Sequence, residues 1–326
     1  MITKKQLPNF FVVGVVKGGT TSLYHYLSQH PDVFLPPIKE TNHFAAADIS
    51  EQDFLKGYAR DVNIDLDKYI KSGMKETIHI AHVNEDHHYE SLFSKVKNER
   101  AIGEISNSYM ICPSSAKAIH DFNPQVRILV ILRNPIRRAW SQFLMNLREA
   151  KSDADNFIQE LEDDHIQIPK GWGVNHQYLE LGKYSEQLKR YFDLFGKDRV
   201  MPILFEDYKE DPEEILASIC RFLEIDDTFK FDFSEKSNAS ALPRNVGLNR
   251  FLVNSGIISI AKKLAPKPLR QKLAGALYSN KNMPKLQEAH AEWLRNYYQA
   301  EVVLLSQLLE KDITRKWPEF RQPNEE

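Results

Sequence analysis

The stretch from Phe10 to Leu27 restricts the fold more than any other part of the chain. Phe10-Phe11-Val12-Val13 is an unbroken apolar run, Gly14, Gly18 and Gly19 surround Lys17, and Thr20-Thr21-Ser22 leads into Leu23-Tyr24-His25-Tyr26-Leu27. An apolar run without alternation is the pattern of a parallel strand buried on both faces, and the stretch after the glycines reads as a helix. A strand, a small-residue loop and a helix N-terminus point backbone N–H groups and the positive end of the helix dipole at one spot. Such a spot binds a phosphate.

The loop can be laid on the nucleotide P-loop G-x-x-x-x-G-K-[ST], with Gly14, Gly19 and Thr21 in register. Thr20 stands where the lysine that reaches the β/γ-phosphates belongs, and Lys17 lies three residues earlier. The anion cradle is kept while the triphosphate chemistry is not. A lysine ahead of two glycines, followed by Thr-Thr-Ser, resembles the 5′-phosphosulfate loop of sulfotransferases that use 3′-phosphoadenosine-5′-phosphosulfate (PAPS). The resemblance implies that Lys17, Gly18, Gly19, Thr20, Thr21 and Ser22 hold the donor's 5′ end.

A second phosphate signal lies at Arg127-Ile128-Leu129-Val130-Ile131-Leu132-Arg133-Asn134-Pro135. The β-branched and leucine run predicts a central parallel strand, Asn134 suits an N-cap and Pro135 the first helical position. Arg133 can hold a phosphate bidentately, and Ser141, about 10 Å along the helix, can add a hydroxyl. This pairing resembles the 3′-phosphate motif of the same enzymes. A strand ending in Arg-Asn also lacks the aspartate that holds magnesium in P-loop NTPases.

Between the two motifs, Pro36-Pro37 precedes Lys39-Glu40-Thr41-Asn42-His43-Phe44. This resembles the Lys-Glu-x-x-x-Phe stretch of carbohydrate sulfotransferases, which implies that Glu40 is the general base for the acceptor hydroxyl. His43 is the second candidate, because histidine titrates near neutral pH. Ala101-Ile102-Gly103-Glu104-Ile105-Ser106-Asn107-Ser108-Tyr109 resembles the family again, with Ile105 where the carbohydrate enzymes often have lysine. His79, His82, His87 and His88 cluster in a polar region, but their spacing fits no helical or finger metal pattern, so no metal is expected. Tyr24, His25, Trp172 and residues 45–90 are expected to shape the acceptor pocket.

Composition enters where partners are concerned. Net charge is −2, which gives no global attraction for nucleic acid, yet residues 236–287 hold ten lysines and arginines and no aspartate or glutamate. That basic stretch draws anions locally: the nucleotide, an acidic acceptor, a polyanion or a membrane surface. The resemblance places Asn238 to Arg244 over the nucleotide, with Arg244 as a third 3′-phosphate ligand. Phe251 to Leu277 alternates apolar patches with lysines, as an amphipathic lid or peripheral membrane helix would. Cys112 and Cys220 form no disulfide or zinc pattern. Met1 to Leu7 is too short and polar for a signal peptide and no apolar run is long enough to span a bilayer, so a cytoplasmic protein is expected, either a bacterial-type soluble member or a trimmed catalytic domain.

The expected architecture is one three-layer α/β/α domain of the P-loop type over residues 1–326, with a central parallel sheet and a frayed tail at 321–326. The expected activity is sulfuryl transfer from PAPS to a hydroxyl or amine, with carbohydrate or glycolipid as the favoured acceptor, 3′,5′-ADP as product and no metal. Two other readings use the same residues. One is a small-molecule P-loop kinase that needs ATP and magnesium; the other is a non-catalytic module that binds anions or membranes.

Overall fold

The apolar runs become the middle of a sheet. In the computed structural model, which describes residues 7–54, 56–151, 156–167, 177–234, 241–258, 261, 266–279 and 283–321, five strands form the order β2-β5-β1-β6-β7. They are β1 (Phe10–Val12), β2 (Val33–Phe34), β5 (Ala101–Ile105), β6 (Arg127–Leu132) and β7 (Val200–Leu204), and every pairing is parallel. The glycine-loop strand β1 is the centre, with β6 beside it. Phe10 aligns with Gly103 and with Arg127, so β1 and β5 end level at Val12 and Ile105 while β6 runs three residues further to Leu132.

Alternation along these strands builds two cores. Phe11, Val13, Ile128, Val130 and Leu132 face one side, packed with helices Ser115–Phe122, Pro135–Glu149, Tyr184–Phe195 and Glu288–Leu309. Phe10, Val12, Leu129, Ile131 and Ile203 face the other, against Leu23 and Leu27 of helix Thr20–Leu27 and Leu216 and Ile219 of helix Pro212–Phe222. Burying strands on both faces is what their lack of alternation requires. The result is the expected three layers.

Helix boundaries follow local chemistry. Asn134 accepts from the N–H groups of Ile136 and Arg137, Pro135 opens its helix, and Asp211 caps helix Pro212–Phe222 through the Glu214 N–H. Gly196 ends helix Tyr184–Phe195 at φ 76°, a left-handed value that glycine adopts without strain. Tyr184, Leu188, Tyr191 and Phe195 are buried, as their helical spacing requires.

The polar region 45–100 is more structured than its composition indicates. It contributes β4 (Ile78–Ile80), which pairs in parallel with β3 (Ile38–Glu40) and brings Ile80 level with Glu40. Phe251 to Leu277 is not one long helix. Its described part contains the end of helix Val246–Asn254 and helix Lys267–Leu277, joined at the base by β8 (Leu242–Pro243) and β9 (Tyr278–Ser279) as an antiparallel pair. Among the described residues no helix is long and apolar enough to cross a membrane. Trp172, Asn238 and the tail beyond Arg321 lie outside the described residues.

Candidate functional site

The carboxyl ends of β1, β6 and β3 converge on one cleft. After β1 the backbone keeps its ladder to β6 for three more residues, with Val13 N–H donating to Leu129 O, Ile131 N–H to Gly14 O and Val15 N–H to Ile131 O, each at 3.0 Å. The chain then turns at Lys17 (φ 65°) and Gly19 (φ 96°), and helix Thr20–Leu27 begins. Gly18 is obligatory for a different reason. A Cβ there would lie 2.8 Å from Ile131 O and 2.9 Å from Val15 O. Thr20 is buried and Thr21 exposed, so the two hydroxyl positions differ in access.

The two phosphate motifs touch. Arg133, at the end of β6, donates from Nη1 to Lys17 O at 2.8 Å and lays its guanidinium 4.6 Å from the Phe205 ring centroid. Its buried Nε has no hydrogen-bond partner among the described residues. A half-buried cation with donor capacity to spare suits a further anion. Helix Pro135–Glu149 then carries Arg137, Ser141 and Met145 at four-residue spacing, one face of the helix. Arg137 pairs with Glu319 at 2.7 Å, and Met145 Sδ lies 3.6 Å from Lys17 Nζ. Ser141 lies one turn before Met145 on that face of the helix.

Lys17 itself is electrostatically unusual. Burial, and next the nearby Arg148, with Arg133 and Lys39 adding to them against Glu149, lower its pKa to about 8. An ammonium so poised can give up its proton near neutral pH.

Glu40 is no surface group. It is 7% exposed, and its Oε1 accepts from Lys39 Nζ at 2.6 Å and from Asn107 Nδ2 at 2.8 Å. Burial opposes its charge, but Lys39, His79 and the Asn107 amide outweigh it and hold the pKa below the ordinary carboxylate value. Glu40 is therefore ionised at neutral pH. The lysine of its own dipeptide, equally buried, is its principal counter-ion.

His43 is not brought to Glu40. Its ring stacks on Tyr89 at 4.1 Å, Nδ1 meets Val83 O at 2.8 Å and Nε2 lies 3.6 Å from Asp86. The histidine beside Glu40 is His79, whose Nε2 is 3.7 Å from Oε1 at the open rim of the cleft. Nothing in its sequence surroundings marks His79; only the β3–β4 pairing puts it there. Of the other three histidines, His82 separates from His87 and His88, which stay together. His82 packs on Phe54, while His87, His88 and Asp67 bring ligand atoms within 4.8 Å of one another at the surface.

The segment Ser106-Asn107-Ser108-Tyr109, whose role the sequence left open, is the clamp on this loop. Glu104, fully buried, accepts from Ser106 Oγ at 2.6 Å, Thr41 Oγ1 at 2.7 Å, Tyr109 OH at 2.8 Å and Tyr89 OH at 2.9 Å. Ser108 Oγ donates to Asn42 Oδ1 at 2.6 Å, and Asn42 Nδ2 to Ala81 O at 2.8 Å. The strand end at Glu104 thus fixes Thr41 and Asn42, the two residues after Glu40.

Arg244 is exposed and stands at the β8–β9 pair, its N–H donating to Leu277 O at 2.9 Å. That pair and the helix after it pack on the last turns of helix Pro135–Glu149, through Asn249 to Leu147 and Arg148, whereas Arg133 precedes its first turn. At 1.5 Å per residue the two ends of that helix are about 20 Å apart. Of the expected acceptor-side residues, Tyr24 donates to Pro36 O at 2.9 Å beside the start of β3, and His25 sets its ring against Tyr26.

Known proteins share sequence and fold with this chain. The bifunctional heparan sulfate N-deacetylase/N-sulfotransferase of Drosophila melanogaster is 23% identical over 318 residues, covering 96% of this chain and 27% of its own length. Human carbohydrate sulfotransferase 15 is 24% identical over 256 residues, covering 67% of this chain and 44% of its own length. The chain thus spans less than half of either relative. The crystal structure of a sulfotransferase from Alicyclobacillus acidocaldarius superposes with a TM-score of 0.71 at 27% identity, over 95% of this chain and 99% of that one. The Sulfotransferase family profile matches residues 8–229, a span that holds the glycine loop, the Glu40 strand and the Arg133 to Ser141 helix but ends short of the basic stretch. By that match, the chain belongs to the sulfotransferase family.

Proposed function

We propose that this chain transfers the sulfuryl group of PAPS to a hydroxyl or amine of a carbohydrate or glycolipid. The observation that carries the reading is the direct contact of the two anion motifs, Arg133 Nη1 on Lys17 O. A donor phosphorylated at both 3′ and 5′ positions needs two adjoining anion sites, and an unpartnered guanidinium nitrogen and a glycine with no room for Cβ fit it. The donor supplies an already activated sulfuryl group, so no γ-phosphate has to be handled.

The chain's residues then have separate tasks. Amides of Gly19 to Ser22 and the hydroxyls of Thr20 and Thr21 hold the 5′-phosphate at the helix start, while the Gly18 N–H is already given to Val15 O and tightens the loop. Arg133 and Ser141 hold the 3′-phosphate; Arg244, at the other end of helix Pro135–Glu149, reaches it only if its segment moves toward the nucleotide. As the acceptor oxygen or nitrogen bonds to sulfur and the bond from sulfur to the bridging oxygen breaks, charge grows on that oxygen. Lys17 stabilises it or gives it a proton. Glu40, held ionised, takes the acceptor's proton, and His79 at its rim offers a route for that proton to solvent. His43 is the second base only if its ring leaves Val83 and Asp86.

The acceptor class rests on the relatives' names, heparan sulfate and carbohydrate sulfotransferases. The basic 236–287 stretch is on this reading the face that meets an acidic partner, a polyanion or a membrane surface. A screen of glycan and glycolipid acceptors with labelled PAPS tests the activity. Lys17→Ala is expected to lower turnover at least about 100-fold while 3′,5′-ADP binding stays within a few-fold of wild type; a variant of near-normal rate rejects the assignment.

A further inference from the structure

The module from β8 to β9 has a polar anchor and an apolar outer surface. Asn249, buried in helix Val246–Asn254, donates to Arg148 O at 2.9 Å and accepts from Tyr278 OH at 2.8 Å. One helical turn before this anchor point, Met145 touches Lys17. The module therefore stands at the reacting end of the cleft.

Nine large apolar side chains are exposed among the described residues, and five of them lie here: Leu248, Phe251, Ile257, Leu269 and Leu273. Phe251 is 64% exposed. Leu248 and Phe251 are three apart on one helix and Leu269 and Leu273 four apart on the next, so each helix turns a pair outward. Scattered exposed leucines are ordinary, but a concentration of this kind marks a contact surface. The same stretch is the one with ten basic residues and no acid, and Arg244, Lys272 and Lys285 are exposed.

We propose that this module docks on an anionic lipid bilayer, with the five apolar side chains in the headgroup boundary and the exposed Arg244 and Lys272 on lipid phosphates, and that the acceptor is the head group of a membrane-held lipid. A soluble polyanion would satisfy the charges and leave the apolar side chains in water, whereas a bilayer interface satisfies both. A second copy of the chain is disfavoured because two faces of like charge, with no acid between them, repel. The acceptor part rests on the sulfotransferase reading; the docking part does not.

The experiment is flotation of the full chain with neutral phosphatidylcholine vesicles and with vesicles containing about 30 mol% phosphatidylglycerol, a composition near that of anionic interfaces. Partition onto the anionic vesicles is expected to be at least about tenfold stronger, with roughly a fivefold loss for Lys272→Glu. Phe251→Ser/Leu273→Ser is expected to lose at least about tenfold, with melting temperature and 3′,5′-ADP affinity unchanged. Wild-type partition by the double variant overturns the proposal. So does capture by a sulfated polysaccharide that the double variant retains while neither vesicle binds, or concentration-dependent dimerisation that the double variant abolishes. Because 3′,5′-ADP binding is read separately, loss of the donor reading and loss of the docking reading give different results.

Discussion

Replacing Lys17 by methionine is expected to stabilise the fold while removing its chemistry. The Lys17 ammonium is held at about 8 against an ordinary 10.5, chiefly by burial. Between those values the unfolded chain binds more protons than the folded one, so wild-type stability rises with pH from about 8 to about 10.5. Below pH 8 both states are protonated and the full penalty stands. The separation of the two values corresponds to about 3 kcal/mol opposing folding at pH 7. Met145 already places its thioether against Lys17, so a methionine at 17 has an apolar neighbour to meet. Lys17→Met is therefore expected to gain up to about 3 kcal/mol at pH 7. The assay is urea denaturation of both proteins at pH 7 and at pH 10.5, with sulfuryl transfer measured alongside. At pH 10.5 the advantage of the variant over wild type should shrink toward zero. A variant that is less stable than wild type at pH 7, or whose advantage does not change with pH, refutes the reasoning that a desolvated, incompletely neutralised ammonium is stored at this position.

Two further substitutions test the frame around the site. Gly18→Ala drives a methyl group against Ile131 O and Val15 O and must move the loop, so 3′,5′-ADP affinity should fall about tenfold or more and stability by about 1–3 kcal/mol, measured by titration and thermal melting; an unchanged affinity would mean the loop is not the anion cradle. Glu104→Ala leaves the hydroxyls of Ser106, Thr41, Tyr109 and Tyr89 without their shared acceptor and should destabilise by about 3 kcal/mol or more in urea; a loss under about 1 kcal/mol would show that these hydroxyls find other partners.

What was legible in the sequence is what is local. The glycine loop, the Arg133 strand end and its Asn134-Pro135 helix start each lie within a dozen residues, and their structure follows from periodicity and capping. The remainder of the site is made by pairing over long separations. Glu40 meets Asn107 across 67 residues, and His79 reaches Glu40 only because β4 pairs with β3. Within residues 45–100, β4 is not legible because it is short and half-buried, too brief to show a period. His43 is a candidate base because histidine titrates near neutral pH, but a left-handed turn at Asn42 and stacking on Tyr89 aim it away from Glu40. Glu104 as a four-hydroxyl hub was invisible for a different reason: its donors come from four positions, and only folding brings them to one carboxylate.

The central claim is that two adjoining anion sites hold a nucleotide phosphorylated at both 3′ and 5′ ends. Isothermal titration of the chain with 3′,5′-ADP, with 5′-AMP and ATP·Mg as comparators, tests it most directly. The account predicts metal-independent binding of 3′,5′-ADP in the micromolar range, at least about tenfold tighter than 5′-AMP, since the second phosphate adds charge-assisted bonds to Arg133. Preference for ATP·Mg, or equal affinity for 3′,5′-ADP and 5′-AMP, would contradict it.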